Sequence, residues 1–366
     1  MLLSEPENEQ GNIKVHSMNK CSRQIGIIRR RNTLRLFLVL LVCLFIAGVM
    51  SGTWAKDRGP ARISVLIATG MPGGTFYQVG LGMASLWTTR LRQIGIRVSA
   101  AISEGSMENI EAIRIADADM ILVEELFCSM AYGGTGIYKG QPLPELRSIT
   151  TLWPDIVHLL IRADKIETGN LEDLNGLTVA TGLPDSGNRF TTELLLKTLK
   201  SGPANVRLRS MSNMAAAEAL RKGQVEAVDL TGGIPVPLVT TLFGERRPPL
   251  SLLDITDLQM QTAREEGWRD VFRQTIPAGT YPGQDRPVNT VGQMNLLAVT
   301  ASLNPQVVYA LTKAFYENLD YLVRVHPACR NIVLEKAMDG LSIPLHPGAI
   351  RYYRERKIKI PDHLIP

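Results

Sequence analysis

The segment ISVLIATGMPGGTFYQVGLG, Ile63 to Gly82, decides the fold. Val65 to Thr69 form an uninterrupted run of apolar and small residues, the pattern of a strand buried on both faces in a parallel sheet. Gly70, Pro72, Gly73 and Gly74 end that strand, and glycine there lets a ligand approach the backbone without meeting a Cβ. A helix starting at Thr75 aims its unpaired N–H groups and the positive end of its dipole over the strand's carboxyl end, where a carboxylate or phosphate is favoured. Turn chemistry explains the same glycines without a ligand, so both readings stand on this stretch alone.

The pattern repeats outward from there. Tyr77 to Leu91 reads as the first helix and Arg97 to Ile102 as a second strand, broken at Glu104-Gly105-Ser106 before a helix capped by Ser106. Asp119 to Glu124, DMILVE, is a third strand. The Gly- and Pro-rich stretch from Tyr132 to Pro154 reads as loop, and Asp155 to Ala163 as a further strand. After a polar linker, Lys165 to Asn175, the rhythm restarts: strand 177–181, loop GLPDSGN, helix 189–200, strand 206–209, helix 213–222 and strand 225–230. ENIEAIRIADADMILVE from Glu108 and AAAEALRKGQVEAVDL from Ala215 answer each other as diverged helix–turn–strand repeats. Val288 to Thr300 reads as a strand and second inter-lobe crossing. Asn304-Pro305 then starts a helix that runs to about Val325, followed by a short helix near 332–338 and a basic one at 349–357.

Alternating strands and helices imply parallel α/β sheets, which bind ligands outside the carboxyl ends of their strands. Gly70 to Thr75, Ser103 to Ser106 and Leu183 to Asn188 hold equivalent strand-to-helix junctions in the two halves. They predict a cleft between two lobes: residues 56–163 with 295–366, and residues 164–294.

The 366 residues suit two lobes preceded by a leader. Leu36 to Ala55 is uncharged and long enough to span a bilayer, with Arg29, Arg30, Arg31 and Arg35 on its amino side. By the positive-inside rule residues 1–33 form a cytoplasmic basic and disordered tail, and the chain from about Lys56 is exported to the periplasm. A signal peptide and an uncleaved transmembrane anchor at 34–55 fit equally, and Met18 is an alternative start. The net charge of +5 is little reason to expect nucleic acid. Cys128 and Cys329, the cysteines of the exported part, fit either a disulfide or two buried thiols.

No catalytic signature emerges. The five histidines, His16, His158, His326, His346 and His363, have no zinc spacing, and the chain lacks a GxSxG elbow, a GK[ST] phosphate loop and a full GxGxxG. A non-enzyme without cofactor or metal is the expectation, and a two-lobed exported α/β protein of this kind fits a solute-binding protein that closes about a hinge.

The segments ATGMPGGTFYQVG, SEGSMENIEAI, ADMILVEE, YGGTGIYKGQPLPELRSITTLWPDIVHLLIRAD, IPAGTYPGQD, FYENLD and IPLHPGAIRYYRE occur in the order found in the TAXI family of TRAP-transporter solute receptors, which the chain resembles from Ile63 to Glu355. The resemblance implies a periplasmic-binding-protein fold of type II-like form that binds a small organic acid or amino acid. It also implies delivery of that ligand to TRAP membrane subunits driven by an ion gradient. A membrane-anchored periplasmic sensor of the same fold is the alternative. The family's ligand-contacting loops map onto Gly74, Thr75 and Tyr77, onto Gly105, Ser106 and Asn109, onto Glu124, and onto Ser186, Gly187 and Asn188. Relatives commonly carry VQ where this chain has Val123-Glu124, and GSGTE where it has DSGNR. Glu124 disfavours a bare anion and suits a ligand ammonium, and Arg189 is a candidate carboxylate clamp.

Overall fold

The structure, a computed structural model, describes residues 62–366 other than Arg246, so the expectations for residues 1–55 lie outside the described residues. Two sheets are built on one plan. In the first, β1 (Ile63–Ala68) lies between β2 (Ile96–Ala101) and β3 (Met120–Glu124) and runs parallel to both. In the second, β6 (Thr178–Thr181) lies between β7 (Arg207–Ser210) and β8 (Ala227–Asp229), again parallel to both. Each trio is extended by an antiparallel strand from elsewhere in the chain. The first gains β11 (Val288–Thr300), flanked by β10 (Phe272–Ile276) and β4 (Leu146–Ile156); the second gains β5 (Leu159–Arg162) and β9 (Leu250–Leu252). The two answering segments of the sequence therefore occupy equivalent places, each delivering a helix into the third strand of its trio.

Helices α1 (Thr75–Leu91), α2 (Ser106–Arg114) and α3 (Glu125–Gly133) follow β1, β2 and β3, while α4 (Gly187–Leu196) and α5 (Asn213–Arg221) follow β6 and β7. Gly80 lets α1 press onto its sheet: a Cβ there would lie 2.2 Å from Thr69 Cγ2. A helical glycine costs about 1 kcal/mol relative to alanine, and here the close packing offsets that loss. Trp87, fully buried, donates its indole N–H to Leu311 O of α6 (Pro305–Tyr316) at 2.9 Å, tying α1 to the carboxyl-terminal helices.

Three readings change. Leu146 to Ile156, read as loop with a strand to follow, is a strand of eleven residues; β5 begins only at Leu159 and pairs in the second sheet. Residues 272–276 and 288–294, expected in the second lobe, pair as β10 and the start of β11 in the first. The helix expected over 305–325 breaks at Asn318, whose side chain donates to Ala314 O and whose backbone leaves helical geometry. The chain crosses between sheets at Val157-His158 and again after β9. At the second crossing Asp254 Oδ1 accepts from Asn289 N at 2.7 Å, and Ile255 N donates to Asn289 O at 2.8 Å.

His158 and Tyr281 close the first crossing. His158 Nδ1–H donates to Ile156 O at 2.8 Å, leaving Nε2 to accept from the Tyr281 hydroxyl at 2.7 Å, while that hydroxyl oxygen accepts from Val236 N at 3.0 Å. Burial holds the His158 ring neutral, with its pKa pushed down to about 4. The GTYPGQD segment thus serves the crossing. Cys128 and Cys329 are both buried free thiols.

Candidate functional site

Strand-to-helix junctions from both sheets meet at one cavity of about 80 Å³. Gly74 and Gly105 hold the N-cap positions of α1 and α2 without a side-chain cap, leaving first-turn N–H groups at the cavity. From the second sheet, Ser186 caps α4 by accepting from Arg189 N, and Ser212 caps α5 by accepting from Ala215 N. The two walls touch: Thr75 Oγ1 accepts from Gly233 N at 3.1 Å, and the rings of Phe127 and Phe190 meet edge to face at 5.4 Å.

Glu124 lies at the back of this space, at the end of β3 and the start of α3, with 4% of its surface exposed. Oε2 accepts from Ser106 Oγ at 2.9 Å and Oε1 from Gln293 Nε2 at 2.6 Å. The amide of Gln293 has only one orientation, because its Oε1 accepts from Trp268 Nε1 at 2.9 Å. Gly187 gives Glu124 its room, since a Cβ there would lie 2.0 Å from Glu124 Oε2 and 2.9 Å from the Phe127 ring. Burial foremost, and then the charge of Asp155, pushes the Glu124 carboxyl up to about 8.

Asp155 reaches the cavity from β4, where it pairs in register with Gln293 of β11. Trp153 Nε1 donates to its Oδ1 at 3.2 Å. Asn295 lies close enough to favour the charged form, although its geometry falls short of a hydrogen bond and both its amide atoms are buried without partners. Burial pushes the Asp155 carboxyl up to about 6. A third buried acid, Asp229, ends β8; it is likewise pushed up to about 6 by burial, but accepts from Thr192 Oγ1 at 2.7 Å and Thr231 Oγ1 at 2.8 Å. Glu104 lines the mouth with its pKa raised by partial burial and by Glu108 and Asp185, and its buried Oε2 has no donor among the described residues.

Of the residues singled out from the sequence, Gly74, Thr75, Gly105, Ser106, Glu124, Ser186, Gly187 and Asn188 come together around the cavity. Tyr77, Asn109 and Arg189 do not. Tyr77 lies two helical positions past Thr75, roughly 200° around α1, and is half-buried away from the wall. Asn109 is fully buried and donates to Thr69 O and Leu122 O, holding α2 onto β1 and β3. Arg189 turns outward, with Nε on Glu193 Oε1 at 2.6 Å and Nη1 on Ser210 Oγ at 2.6 Å, so it does not clamp a ligand in the cavity. Residues that sequence reasoning passed over are Asp155, Ser212 and the Thr231-Gly232 junction. The last carried a usable signal, a strand end running into glycines as at Gly70 to Gly74.

The profile of the NMT1-like family matches residues 67–356. Solved structures align over most of their own length at low identity. A protein of Bordetella bronchiseptica RB50 is 18% identical over 82% of this chain and 90% of its own, with a TM-score of 0.46. The alkanesulfonate-binding protein SsuA of Xanthomonas axonopodis pv. citri, bound to MOPS, is 14% identical over 84% and 95%, with a TM-score of 0.45. The substrate-binding protein of an amino acid ABC transporter is 12% identical over 73% and 99%, with a TM-score of 0.44.

Proposed function

From the premise that this chain belongs to the NMT1-like family, we propose that it is a periplasmic solute receptor. It traps a small organic acid or amino-acid-like ligand between its two sheets and hands it to membrane subunits of a TRAP transporter driven by an ion gradient. The observation that carries this reading is the cavity itself, built from equivalent strand-to-helix junctions of two like-ordered sheets. Its volume of about 80 Å³ lies well below the roughly 300 Å³ at which sites for drug-sized ligands begin, so the cargo is small. The first-turn N–H groups that follow the uncapped N-caps Gly74 and Gly105 suit the acidic end of such a ligand. The order of segments shared with TAXI receptors supports the transporter assignment.

Mass spectrometry of small molecules released from the natively purified protein tests ligand capture. Uptake in cells carrying the chain with its membrane subunits tests the partner. Uptake that stops when the ion gradient is collapsed and continues when ATP is depleted fits the proposal, and the opposite pattern overturns it.

A further inference from the structure

The cavity wall carries three carboxylates, Glu104, Glu124 and Asp155, and among the described residues no lysine, arginine or histidine lines it. Arg189, the nearest cation in sequence to the cavity loops, is engaged outside by Glu193 and Ser210. Resting on the receptor reading above, we infer that Glu124 and Asp155 together seat a cationic nitrogen of the ligand, and that seating it expels a proton from the pair.

The two acids offer complementary vacancies. Asp155 is 92% buried by its 8% exposure, uses Oδ1 on Trp153, and has no donor to Oδ2 among the described residues. Both oxygens of Glu124 accept hydrogen bonds from fixed neutral donors, Ser106 and Gln293, and each retains a further lone pair. Among the described residues, the charged groups that act on Glu124 are acidic: Asp155 from β4 and Asp229 from β8. Asp229 is itself satisfied by Thr192 and Thr231 and offers less to a ligand. Burial and these like charges keep a proton on Glu124 while the seat holds no cation. An alkylammonium has three N–H donors and no acceptor. Asp155 and Glu124 line the same cavity, so its donors match Asp155 Oδ2 and the spare lone pairs of Glu124, and its charge replaces the proton, which leaves to solvent. A dicarboxylate would need Glu124 and Asp155 both protonated, with nothing on the lining to balance its second charge.

Isothermal titration of the full chain with γ-aminobutyrate, L-alanine, butyrate, propionate and glutarate, each at pH 6, 7 and 8 in phosphate and in Tris, tests this. The amino compounds should bind with net proton release, seen as a buffer-dependent heat, and their affinity should rise by up to tenfold per pH unit. Asp155→Asn should lower that affinity at least tenfold, and Glu124→Gln should remove the proton release. Butyrate or glutarate binding as tightly as the amino compounds, with affinity falling as pH rises, would overturn the cation seat and leave the receptor reading standing. Failure of every probe to bind would overturn both. The proton count on the unaltered chain decides the matter even where a variant does not fold.

Discussion

Glu124→Gln isolates the energetic consequence of burying this carboxyl. A group that ionises at 4.5 in the unfolded chain and at about 8 in the fold is protonated more readily in the folded state. Its contribution to stability is fully present below pH 4.5 and is lost as pH rises through about 8. Between pH 5.5 and pH 8.5 this linkage removes about 3 kcal/mol, from 1.36 kcal/mol per pKa unit. Glutamine carries no such linkage, and its amide fits the site: Oε1 accepts from Gln293 while Nε2 donates to Ser106 Oγ, which can accept as well as donate. The stability of the variant relative to the unaltered protein in urea denaturation should therefore rise by about 3 kcal/mol between pH 5.5 and pH 8.5. Glu125, whose carboxyl burial also pushes up, acts on both proteins alike, so the difference between them belongs to Glu124 and its coupling to Asp155 and Asp229. Parallel pH profiles for the two proteins would refute the reasoning.

Other perturbations separate ligand-facing from structural roles. Arg189→Ala should leave the affinity for any captured ligand within twofold in titration calorimetry and cost about 0.2–1 kcal/mol, the range of a surface ion pair. Gly187→Ala drives a methyl into Glu124 Oε2 and the Phe127 ring; denaturation should show a loss of about 1–3 kcal/mol together with weakened ligand binding. Tyr281→Phe strips the hydroxyl from His158 and Val236, leaving a buried N–H and a buried ring nitrogen unsatisfied. Its thermal unfolding midpoint should fall in proportion to a loss of about 1–3 kcal/mol.

The two parallel trios were legible because their central strands are runs of apolar and small residues, buried toward their carboxyl ends and bounded by glycine or by helix caps. β4 was not. Pro154 and the glycines before it read as loop, and the strand buries Ser148, Thr150 and Thr151, whose hydroxyls find their acceptors at Ile343, Ala337 and Asp339, nearly 200 residues away. No local pattern announces that pairing. The same limit hid Asp155, since the convergence of β3 and β4 on either side of β11 makes it a neighbour of Glu124. Arg189 is a different case: Glu193 stands four residues on, the spacing of a helical ion pair, and that local signal outweighed the attraction of an arginine beside a pocket loop.

The histidine at the first crossing sets where acidity can and cannot act on this molecule. His158 stays uncharged until pH nears 4, so its bonds to Ile156 and Tyr281 persist unchanged through the interval in which Glu124 and Asp155 exchange protons. Acidification of the surroundings from pH 8 to pH 5 therefore alters what the cleft can hold without loosening the joint that links the two sheets. Selectivity and mechanical integrity answer to different parts of the pH scale.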